Sequence, residues 1–132
     1  MQTGRTPRVL VAGIAGASLG TEIAKSLHAG GYDILGCDIS PLSSGHCDEQ
    51  LASTYVIGRD SYITDLLELR SREHIDCIVP GDDEPTVLIG SDVRRFADDE
   101  IRVCKNNPAL IERSRLRANA LKFSWKYAWM AY

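Results

Sequence analysis

The chain has 132 residues, 15 Lys+Arg against 18 Asp+Glu for a formal net charge of -3, and is 44% hydrophobic and 25% charged. A chain of this length buries roughly two-thirds of its unfolded surface, enough for one self-supporting core, so collagen-like, low-complexity and disulfide-scaffold classes are excluded. Lys and Arg are scattered rather than clustered, no apolar run nears the ~20 residues of a bilayer span, and the N-terminus has no signal pattern, so a cytoplasmic protein without nucleic-acid or membrane partners is expected.

Arg8 to Ala12 (RVLVA) is a short β-branched-rich run ending at Gly13, the signature of a strand covered on both faces. From Ser18 the spacing becomes helical, with Leu19, Ile23, Ala24 and Leu27 on one stripe until Gly30-Gly31 stops it. Tyr32 to Cys37 reads as the second strand, ending at Asp38; Ser40 to Asp48 is a turn-rich loop, and Thr54 to Ile57 is a short third strand. Ser61 is the N-cap of a second helix that carries Ile63, Leu66, Leu67 and Leu69 and ends near Arg72.

Ile75 to Val79 is the fourth strand, stopped by Pro80-Gly81. Pro85 then falls in the first turn of a helix, where proline is tolerated, with Ile89, Val93 and Phe96 as its buried stripe. Ile101 to Cys104 is the fifth strand, and Asn107-Pro108 opens a last helix reaching about Leu121. Strands alternating with helices in this way predict an α/β fold, a three-layer αβα sandwich around a Rossmann-like parallel sheet of about five strands in the order 3-2-1-4-5. That order reverses between strands 1 and 4 and opens a crevice at their carboxyl ends, lined by Gly13 to Gly20 and by Pro80 to Glu84.

The final ten residues hold Phe123, Trp125, Tyr127, Trp129 and Tyr132, the one compositional shift in the chain. Their spacing fits a strand face as well as a helix stripe, and the segment either packs on its own domain or meets another chain or domain.

Chemistry-bearing residues concentrate in two loops. In the first, Gly13, Ala15, Gly16, Ala17, Ser18 and Gly20 form a small-residue turn between strand and helix, a setting in which backbone N–H groups hold anions. The dinucleotide fingerprint asks for glycine at three places that are here Gly13, Ala15 and Ser18, a poor match, although Asp38 stands where an acid would meet a ribose 2′-OH. Turn formation and close helix packing account for the glycines equally well. In the second loop, Gly81, Asp82, Asp83 and Glu84 put three carboxylates at a helix start, more than capping needs, which points to contacts with polar substrate groups or a cation.

Other residues point to structure rather than chemistry. Asp98, Asp99 and Glu100 read as surface, and His28 and His74 as structural or exposed. Cys37, Cys77 and Cys104 fall in apolar β-rich runs as small hydrophobes, and Cys47, beside His46, has no partner constellation. No pair of cysteines has zinc-site spacing, and no hydrolase triad, HExxH or P-loop pattern occurs, so no metal ligand and no catalytic residue is assigned.

These features together resemble the N-terminal domain that precedes the ATP-grasp fold in carbamoyl-phosphate-synthase-like carboxylate-amine ligases. The resemblance covers about residues 8 to 121. Its carriers are the Gly13–Gly20 loop, Asp38 with Ser40-Pro41-Leu42-Ser43-Ser44-Gly45, the Pro80-Gly81-Asp82-Asp83-Glu84 turn and Asn107-Pro108. It implies a Rossmann-like domain, residues 1 to 122, that binds no dinucleotide and lends its loops to the acceptor-substrate side of an active site. On that basis Gly13, Ala15, Gly16, Ala17, Ser18, Asp38, Gly81, Asp82, Asp83 and Glu84 are the expected substrate contacts.

The family carries an Asp-Lys pair in its last helix where this chain has Ser114-Arg115. The chain ends where the ATP-grasp lobes would begin, with residues 123 to 132 at the junction, so it is expected to be a piece of a longer ligase, a split-gene subunit or a remnant. It would need no cofactor alone, and ATP and Mg only where a partner chain or C-terminal domain supplies those lobes. A small-molecule acceptor and a second copy of the chain, giving a homodimer, are the other expected partners. A nicotinamide (NAD or NADP) domain of an oxidoreductase or epimerase, with Asp38 on the adenosine ribose, and a non-catalytic self-associating module are the alternatives.

Overall fold

The computed structural model describes residues 4–16, 19–98 and 102–103. Its elements are β1 (Arg8–Ala12), α1 (Gly20–Ala29), β2 (Asp33–Asp38), a 3-10 turn (Ser44–Cys47), β3 (Ser53–Val56), α2 (Tyr62–Glu73), β4 (Cys77–Pro80), α3 (Asp83–Ser91), α4 (Val93–Asp98) and β5 (Arg102–Val103). The five strands form one all-parallel sheet in the order β3-β2-β1-β4-β5. This is the predicted Rossmann-like α/β architecture.

Both faces of the sheet's centre are covered, which is why β1 and β2 are apolar through their middle rather than alternating, while the edge strands β3 and β5 are partly exposed. On one face Val11 and Ile34 pack with Ile14, Leu51 and Ala24 of α1. On the other, Leu10, Ala12, Leu35, Cys37 and Ile78 meet Leu66 and Leu69 of α2, Ile89 of α3 and Phe96 of α4. Gly36 lies on the first face because Leu51 and Ile14 occupy the space of its missing side chain: a Cβ there would stand 2.9 Å from Leu51 Cδ1.

The amino edge of the sheet is pinned by charge. Arg8 Nε donates to Asp33 Oδ2 at 2.7 Å and Arg8 Nη1 to the Glu73 carbonyl at 2.7 Å. Asp76 in turn accepts from the Arg8 backbone N–H and from Arg5, both at 2.9 Å. These bonds join β1, β2 and the end of α2, leaving the opposite, carboxyl edge to the loops.

Three local predictions need correction. The single helix expected to carry Ile89, Val93 and Phe96 is two helices, broken at Asp92, whose N–H reaches the Ile89 carbonyl at 3.2 Å while its own carbonyl accepts from Arg95 N at 3.2 Å. The break leaves Ile89 and Phe96 both fully buried, so apolar spacing alone read as one continuous stripe. The loop after β2 contains the 3-10 turn, and strand ends shift: β2 starts at Asp33, β3 covers Ser53–Val56, and β4 runs Cys77–Pro80. In a parallel sheet the ladder partners, here Arg8 for Asp33 and Val9 for Cys77, set those ends. The predicted last helix, Ser114-Arg115, Cys104, Asp99, Glu100 and the aromatic tail lie outside the described residues.

Candidate functional site

In an open parallel sheet the crevice beyond the strands' carboxyl ends is the natural ligand position. Here that edge carries a cleft of about 220 Å3 walled by Gly13, Asp38, Ile39, Ser40, Arg59, Tyr62, Asp82, Glu84 and Pro85. The loops after β1, β2, β3 and β4 all contribute.

The loop after β1 turns sharply at Gly13, whose φ of +101° is costly for any residue with a Cβ. Its N–H donates to the Cys37 carbonyl at 2.9 Å. Asp38 then holds the loop from the next strand: its Oδ2 accepts the Ile14 N–H at 2.9 Å and its Oδ1 the Ser40 N–H at 3.0 Å. Both oxygens of the predicted ribose-binding acid are thus engaged by backbone.

The loop after β2 folds over the same turn. Gly45 N donates to the Ile14 carbonyl at 2.9 Å, and Gly16 sits under Ser44, where a Cβ would come within 2.7 Å of Oγ. His46 fastens this loop, with Nε2 3.0 Å from the Ser40 carbonyl and Nδ1 2.9 Å from Thr54 Oγ1. A carbonyl can only accept, so Nε2 is the donor.

The turn after β4 is packed hard against the first loop. Gly81 is buried, and a Cβ on it would lie 2.5 Å from the Gly13 carbonyl oxygen and 2.6 Å from Gly20 Cα. Asp82 is the N-cap of α3 and its Oδ1 accepts the Asp83 N–H at 2.8 Å. Glu84 forms an ion pair with Arg59, which arrives from the loop after β3. That loop is shaped by Asp65 of α2, whose Oδ2 accepts from Gly58 N and from Ser61 Oγ, each at 2.9 Å.

Tyr62 opens α2 and is 3% exposed, yet forms a wall of the cleft. Burial foremost, then Cys37, Asp38 and Glu84, pushes its phenol above the ordinary range, so it remains a neutral O–H donor. Burial likewise pushes the Cys37 thiol up, with Asp38 adding to it, which makes Cys37 an inert core residue.

Of the residues singled out from sequence, the structure brings Gly13, Asp38, Asp82 and Glu84 to one cleft. Ala15, Gly16, Gly81 and Asp83 are not among its walls: Gly16 and Gly81 serve close packing, and Asp83 is exposed. Ala17 and Ser18 lie outside the described residues. Sequence reasoning missed Arg59, Tyr62, Ile39, Ser40 and Pro85 as walls. The signal for Arg59 was topological, since in a parallel sheet the loop after β3 emerges at the same edge as those after β1 and β4.

Among the described residues no group of three or more His, Cys, Asp or Glu side chains is placed to hold a metal ion, and no helix is long and apolar enough to cross a membrane. Asp38 is engaged by two backbone N–H groups, and Asp38, Asp82 and Glu84 set three carboxylates beside the guanidinium of Arg59 among the walls of the cleft.

No protein-family model matches the chain, and no curated protein sequence does. Among solved structures it is similar to the crystal structure of RSP in complex with beta-NADH, with 13% identity and a TM-score of 0.45 over 96% of this chain and 63% of that one. The chain therefore spans less than two thirds of that protein's resolved chain. What fold and site define together is a Rossmann-like α/β domain with an acid-lined cleft at the carboxyl edge of its sheet.

Proposed function

We propose that this domain forms the acceptor-substrate side of a carboxylate-amine ligase of the ATP-grasp kind, with ATP and Mg handled by lobes on another domain or chain. One observation carries this reading: the carboxyl-edge cleft is lined by Asp38, Asp82 and Glu84 with Arg59 as the cation among its walls. Such a wall repels phosphate and receives N–H and O–H donors, which suits an amine-bearing acceptor and not a nucleotide. The Gly81 packing and the Asp38 clamp supply the rigid frame such a subsite needs. Incubating the chain with Mg-ATP and assaying phosphate release tests it. No hydrolysis is expected, and ATP turnover or acyl-phosphate formation by the chain alone would sink the reading.

A second reading, a nicotinamide-binding domain, is favoured by one placement: Asp38 ends β2 next to β1 in the sheet order such domains share. Its direct test is a titration with NADH and NADPH, in which saturable binding supports it.

A further inference from the structure

No further inference is drawn: the strongest candidate, the half of the sheet face beside α1 on which Val79 of β4 lies next to fully buried Val11 yet is itself only partly buried, is an apolar face, and nothing among the described residues shows what covers it.

Discussion

Asp38 Oδ2 accepts the Ile14 N–H at 2.9 Å, tying the carboxyl end of β2 to the turn that leaves β1. With Oδ1 on Ser40 N, one side chain organises two of the loops that wall the cleft. Asp38→Ala therefore strands two backbone donors that had a charged acceptor. A stability loss of about 2 kcal/mol is expected, read as a lower urea midpoint with an unchanged m-value. A midpoint equal to that of the unmutated chain would mean the carboxylate does not hold the loops.

Gly81 and Gly31 separate two reasons for glycine. A Cβ at Gly81 meets backbone, the Gly13 carbonyl oxygen at 2.5 Å and Gly20 Cα at 2.6 Å, and backbone cannot swing away. Gly81→Ala should cost about 3 kcal/mol and broaden signals from both loops. Gly31, at φ +81°, has nothing within 4 Å of such a Cβ, so Gly31→Ala should cost only the left-handed backbone, about 1 kcal/mol. Equal effects in thermal unfolding would remove the close-packing role of Gly81.

Raising the pH should destabilise the fold through Tyr62 and Cys37. Burial lifts both above their ordinary values of 10.0 and 9.0, so the native chain keeps protons that the unfolded chain gives up. The stabilisation is complete below the unfolded values and is lost as pH climbs past them, by up to about 1.4 kcal/mol per pH unit for each group. Urea midpoints should be flat from neutral pH to about 8.5 and fall steeply by about 10.5. Thiol labelling offers a companion check: exposed Cys47 should react in the native chain, and buried Cys37 only after unfolding.

Arg59 and Glu84 face each other across the cleft mouth with side chains 62% and 45% exposed. Solvent screening makes such a pair worth little, so Arg59→Ala should change stability by under about 0.5 kcal/mol. A loss several times larger would give the pair a structural role that its exposure argues against.

The sheet was legible in the sequence because its central strands sit in the core and are apolar along most of their length; RVLVA and DILGC signal burial on both faces before any pairing is known. Helix positions followed from Ser61, Pro85 and the apolar stripes. The break at Asp92 was hidden because Ile89 and Phe96 keep a helical phase across it. Site residues were harder. Asp82 and Glu84 were visible as charges out of proportion to capping, but Gly81 looks the same whether it approaches a ligand or a neighbouring backbone, and only the 2.5 Å distance to the Gly13 carbonyl distinguishes them. Asp38 was seen at the right place and its partners were not, since the Ile14 N–H comes from a residue distant in sequence. Tyr62 carried no local signal: its place as a buried wall of the cleft is a property of the assembled loops.

The most direct measurement is a calorimetric titration of the purified chain with NADH, NADPH and Mg-ATP. No heat from any of the three nucleotides is the expected result for an acid-lined acceptor cleft. Micromolar binding of NADH or NADPH would contradict it, because a diphosphate would then be held against Asp38, Asp82 and Glu84 in a cleft whose charge should expel it.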